Sequence, residues 1–175
     1  ATRFSIEWSR VEPKEGVFDE QVIAQYKKMI KDVRELGIEP FVTIYHWAVP
    51  VWFRDGGAWK KNKNLNHFYR YVEKLVKEFG QDVKFWITLN EPEIYASQSF
   101  LTGVWPPQEK NIFSYWRVLH NLIQGHKEAY KIIKKYNPEA QVGIAKNNIH
   151  FEAHKNYFFN RIIKRAAHWW WNDWF

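Results

Sequence analysis

The residues that could do chemistry stand at the ends of apolar runs. Residues 87–93 read ITLNEPE: an apolar run closes in Asn90 and Glu91, with Pro92 behind them. A buried carboxylate is costly unless it is hydrogen-bonded, paired or neutralised. An active site is one setting that exploits such a group, and an acid capping the next segment is the other. Pro92 disfavours the right-handed α region at Glu91 and so restricts its backbone. The Asn90 amide can donate to a ligand hydroxyl. His46 and Trp47 follow a second apolar run, EPFVTIY, and Arg3 opens a third, RFSIEWSR. A fourth, AQVGIAKNN, ends in Asn147 and Asn148. His46 reads as a ligand-binding imidazole or as a structural histidine. Trp47 and Trp105 offer flat faces to a sugar ring or to the core. His120 and His126 have no acids near them in a zinc-binding pattern, so no metal site is expected. There is no glycine-rich phosphate loop, and Ser9 lacks the surroundings of a nucleophile elbow.

Strands and helices must alternate to position these groups. Residues 3–9 read as a strand. A helix follows over 19–36, with Asp19 as N-cap, Gly37 past its C-terminus and a stripe of Val22, Tyr26, Met29, Val33 and Leu36. A second strand spans 39–46. The next helix, 65–79, carries a stripe of Leu65, Phe68, Val72, Leu75, Val76 and Phe79. A third strand covers 83–90, a helix 112–136, a fourth strand 140–148 and a last helix 160–175. Strands apolar on both faces and separated by amphipathic helices predict a parallel sheet with crossover helices. In (β/α) barrels and in open α/β sheets the site lies beyond the carboxyl ends of the strands. Those ends are where Glu91, Asn90, His46 and Asn148 fall.

The chain has 175 residues, a net charge of +7 and no Cys. That length can bury the core of one domain, expected over 1–175. The absence of Cys excludes disulfides and thiolate metal sites and permits a reducing cytoplasm, the expected location. The lysines lie on helix faces among Glu and Asp, as in YKKMIKDVRELG, and make no basic block. Nucleic acid is therefore not an expected partner. No apolar stretch is long enough for a membrane span and no secretory signal opens the sequence. Aromatic residues make up 19% of the chain, with 11 Trp; they fill cores, and they also suit stacking on sugars.

Together the runs RFSIEWSRVEP, GIEPFVTIYHWAVPVWF, FWITLNEP and AQVGIAKNNIHFEA resemble glycoside hydrolase family 1, the β-glucosidase and β-galactosidase family, in order and spacing. The resemblance implies an α/β fold, a (β/α)8 TIM barrel, and a retaining β-glycosidase without cofactors, acting on a small glycoside or oligosaccharide. It implies that Glu91 is the general acid/base, that Asn90 contacts the sugar 2-hydroxyl, that His46 contacts glycone hydroxyls and that Arg3 supports the nucleophile. Trp47 and Asn148 complete the expected substrate-binding set, and Glu93 falls on the aglycone side, where some relatives carry Trp. Such an enzyme needs two carboxylates about 5–5.5 Å apart. The family's nucleophile sits in a later Glu-Asn-Gly motif that these residues lack, as they lack the first strand with its sugar-binding Gln. Glu7 and Glu152 stand near strand ends, and the family gives neither that role. The implied picture is a partial barrel of about strands two to five, whose complement is the rest of the barrel or another copy.

Overall fold

The computed structural model describes residues 1–155 and 157–173. The chain forms two compact units, residues 1–145 and 146–175.

The first unit contains strands β1 (Thr2–Ser5), β2 (Pro40–Tyr45), β3 (Phe85–Asn90) and β4 (Gln141–Ala145). They pair in sequence order, each parallel to the next. Parallel neighbours need crossover connections, which here include the helices. These are α1 (Trp8–Val11), α2 (Glu20–Glu35), α3 (Val51–Asp55), α4 (Leu65–Phe79), α5 (Pro92–Ala96) and α6 (Ile112–Tyr136). The architecture is α/β, a partial TIM barrel of four parallel strands with helices in the three connections between them.

The two sheet faces differ. Val42, Ile44, Trp86 and Thr88 are fully buried beneath the helices, and Trp86 stacks on Phe79 of α4. The stripe read on α4 is buried at all its positions. An aromatic cluster ties the start of the unit to α4: Trp8 lies parallel to Tyr71 at 4.9 Å and meets Phe53 at 4.7 Å. On the opposite face stand Arg3, Phe41 and Phe85 in register, then Ser5, Thr43 and Ile87. Phe41 and Phe85 stack at 4.3 Å and remain half-exposed.

Three sequence expectations change. The first strand stops at Ser5 rather than running to Ser9, because Trp8 turns into the helical layer and Val11 N–H bonds back to the Glu7 carbonyl. The buried face of α2 is centred on Ile23 and Ile30, and Leu36 is 75% exposed. Tyr26 lies at the edge of that face, where its hydroxyl accepts the Glu7 N–H. The fourth strand ends at Ala145. Asp19 caps α2 through the Gln21 and Val22 N–H groups, and Gly37 takes φ +72° just past the helix, as the sequence suggests.

In the second unit, α7 (Phe158–His168) continues as a wider helical turn over Trp169–Asp173. Trp171 Nε1 donates to the Asn147 carbonyl at 3.0 Å, and Asn172 Nδ2 donates to the Ile149 carbonyl at 2.8 Å. Trp174 and Phe175, the end of the helix expected from sequence, lie outside the described residues. No described helix is long and apolar enough to cross a membrane.

Glu12 is fully buried. It accepts from Trp8 Nε1 and the Gly16 N–H, each at 2.8 Å, and pairs with Arg70. Removing one partner of a buried pair strands the other charge and costs about 3–5 kcal/mol. Arg70→Met should lower stability by about 3 kcal/mol in urea denaturation, and Arg70→Lys should recover part of it. A loss under about 1 kcal/mol would mean the two neutral donors suffice.

His126 of α6 meets Thr88 Oγ1 through Nδ1 at 2.8 Å. Burial, then Lys127, lowers its pKa from the ordinary 6.5. The unfolded chain therefore binds the proton more readily, and stability should fall as pH drops from about 6.5 toward the folded value. Thermal melts between pH 7.5 and 5.5 should show that fall, and His126→Gln should reduce it, leaving the part that His46, also lowered, contributes. Glu73, held below 4.5 by its hydrogen bonds from Tyr136 and Lys77, acts in a separate, more acid window. An unchanged slope in the variant would rule His126 out.

Candidate active site

The uncovered sheet face and the strand ends above it form the site. Arg3 leaves β1 on that face and reaches across β2: Nε donates to Thr43 Oγ1 at 2.9 Å and Nη2 donates to Asn90 Oδ1 at 2.5 Å. A guanidinium can only donate, so the amide oxygen of Asn90 must face it. The amide nitrogen then turns toward Glu91, with Nδ2 3.4 Å from Oε2.

Strand alternation alone would not put Asn90 there. Thr88, two residues earlier, bonds His126 in the helical layer, and residues two apart on a strand share a face. The pairing of β3 with β4 shifts register between Ile87 and Asn90. Such a bulge re-aims the side chains beyond it, and it delivers Asn90 to Arg3.

Glu91 follows at φ +42° and ψ +59°, in the left-handed region. This region costs a residue with a side chain on the order of 1–3 kcal/mol and survives only where the surroundings over-determine it. They do here. Pro92 stands at the first position of α5, the Glu91 N–H donates to the Ala145 carbonyl at 2.7 Å, and its carbonyl accepts from the Ile94 and Tyr95 N–H groups. The proline thus excludes the right-handed helix, as the sequence implies, while the bonds select the left-handed well. The Glu91 side chain is half-buried at the strand end.

Trp47 also has a positive φ, +71°. Its Nε1 donates to the Asn90 carbonyl at 2.9 Å, tying the end of β2 to the end of β3. Trp47 packs on Trp105 at 4.6 Å with the rings inclined by 51°. Beside them opens a cavity of about 520 Å³ whose lining includes His46, Tyr95, Phe100 and Pro107. His46 is exposed, and its Nδ1 lies 2.9 Å from Ser5 Oγ. Burial lowers its pKa, and Arg3 adds to that effect against the opposing charges of Glu91 and Glu7.

Arg3, His46, Trp47, Asn90 and Glu91 therefore meet at one rim. Glu93 lies elsewhere: it is buried on α5 and helps push the Tyr115 hydroxyl up to about 12, after burial itself. Asn148 belongs to the second unit, where it is exposed. Glu152 of that unit sits 3.3 Å from His150. Sequence reading missed Thr43 and Ser5 as partners of Arg3 and His46. Their signal is the i, i+2 alternation that puts Ser5 on the Arg3 face and, across the strand pair, Thr43 beside Ser5. Among the described residues no cluster could hold a metal ion.

The model of glycosyl hydrolase family 1 matches residues 1–175. β-Glucosidase A of Thermotoga maritima is 38% identical over 153 residues, which is 87% of this chain and 34% of that protein. β-Glucosidase 14 of Arabidopsis thaliana is 37% identical over 166 residues, covering 84% of this chain and 34% of that protein. Among solved structures, a β-glycosidase from Pyrococcus horikoshii superposes with a TM-score of 0.91 at 34% identity, covering 97% of this chain and 39% of its own. The chain thus spans about a third of the length of the curated relatives it matches. With the motif residues gathered at the carboxyl ends of a partial TIM barrel and the family matched from end to end, the chain belongs to glycosyl hydrolase family 1.

Proposed function

We propose that these residues form the acid/base part of a retaining β-glucosidase whose nucleophile lies outside residues 1–175. The observation that carries this reading is the line from Arg3 through Asn90 to Glu91 at the strand ends. Glu91 protonates the departing glycosidic oxygen. A second carboxylate, about 5–5.5 Å away, takes the sugar, and Glu91 then deprotonates the water that releases it. Asn90 Nδ2 contacts the sugar 2-hydroxyl, and His46 and Trp47 bind the rest of the glycone. Arg3 supports the nucleophile from the same face. The aglycone lies toward α5 and the Trp47–Trp105 pair. Family 1 membership supports this assignment of roles. A β-glucosidase of Thermotoga maritima has been solved in complex with deoxynojirimycin and with glucoimidazole, and by that similarity the substrate is a β-linked glucoside.

In the complete enzyme, Glu91→Gln should lose about 10²–10⁴-fold on glucosides with poor leaving groups, the usual reach of general acid–base assistance. Activated aryl glucosides need little protonation and should lose much less in the first step. Equal losses on both substrates would argue against the acid role.

Residues 1–175 alone should not turn over an activated aryl β-glucoside, because one carboxylate cannot serve both steps. The half-exposed Phe41, Phe85 and Ile87 leave an apolar sheet face, so the isolated segment should associate or require its complement. The check is an assay on material of verified mass. Sustained turnover that disappears in Glu91→Ala would place a nucleophile within these residues and overturn the reading.

A further inference from the structure

An imidazole at a strand end has two ring flips and, when neutral, two tautomers. His46 is exposed, yet two contacts restrict it. Trp47 packs edge-on against its ring at 5.0 Å and 84°. Ser5, on the neighbouring strand and on the same face as Arg3, brings Oγ to 2.9 Å from Nδ1. Burial and the Arg3 charge favour the neutral ring, which has one donor and one acceptor nitrogen. The tautomer of such a ring is set by the bond its inner nitrogen makes. Among the described residues, Nδ1 is the one partner of the Ser5 hydroxyl. If Nδ1 carried the proton, that hydroxyl hydrogen would face no protein acceptor.

We infer that Ser5 is a positioning residue: its hydroxyl donates to His46 Nδ1, fixes the ring, and leaves Nε2–H as a hydrogen-bond donor for a ligand hydroxyl at the rim. The tautomer rests on the Ser5–His46 contact together with the neutral ring. The ligand contact rests on the β-glucosidase reading, and the two are tested separately.

Long-range ¹H–¹⁵N spectra of the complete, ¹⁵N-labelled protein at pH 8 read the tautomer directly, with the His46 signals identified by their loss in His46→Gln. The expected result is an unprotonated Nδ1 and a protonated Nε2. Ser5→Ala should shift those signals toward a tautomer mixture, and Ser5→Thr, which keeps the hydroxyl, should restore them. In turnover, Ser5→Ala should raise KM for a β-glucoside about fivefold with kcat nearly unchanged, the loss of one neutral hydrogen bond felt in binding. A protonated Nδ1 in the unaltered protein would overturn the inference, and so would His46 signals indifferent to Ser5→Ala. An unaltered protein that hydrolyses no β-glucoside would sink the functional reading instead, while the spectra still decide the role of Ser5.

Discussion

The Arg3 guanidinium, reaching from β1 across β2 to the end of β3, is the interaction on which the rim depends. It is always charged and cannot accept a hydrogen bond. The group facing it must therefore offer oxygen, and this orients the Asn90 amide with its nitrogen toward Glu91. Thr43, fully buried, accepts the hydrogen bond from Nε–H and fixes the fork's angle. From the other side Trp47 holds the Asn90 carbonyl. Side chain and backbone of one asparagine are thus pinned by two different strands, and Glu91 inherits that fixed starting point.

The strained backbone at Glu91 follows from this arrangement. The β3 bulge turns Asn90 inward, and the chain must then leave the sheet and enter α5 within one residue. A right-handed turn is closed to it by Pro92. The left-handed well makes the reversal, and the bond to the Ala145 carbonyl keeps β4 paired past the bulge. Trp47 makes a comparable reversal after β2. Non-glycine residues in this region cluster at ligand and active sites, and here both stand at the ends of adjacent strands.

Element order was legible because the periodicities are strong. The face of α4 follows from a 3.6-residue repeat, and the parallel sheet follows from strands apolar on both sides. What was not legible depends on contacts between strands. Trp8 has the composition of a strand residue but is captured by Tyr71 and Phe53, which shortens β1. A one-residue rotation of α2 is invisible when Val22 and Ile23 are both apolar. Ser5 and Thr43 are unremarkable in sequence and gain meaning only from the register that brings them beside His46 and Arg3. Glu93 is the opposite case. Its position beside the motif suggests the aglycone side, while α5 turns it into the protein against α6.

A barrel gathers side chains from several strand ends, and here Arg3, Trp47 and Asn90 reach one rim from three neighbouring strands or their ends. The TM-score of 0.91 against a relative reflects strand pairing and helix packing, which consecutive strands and helices satisfy locally. On the helical face Val42, Ile44, Trp86 and Thr88 are fully buried, whereas every residue of β4 stays at least half-exposed. The opposite face is different: Phe41 and Phe85 stack on each other along the sheet and stay half-exposed. The packing that holds Glu91 in place is local to these strands: the shift in β3, Pro92 and the Ala145 carbonyl together fix its backbone at the strand end.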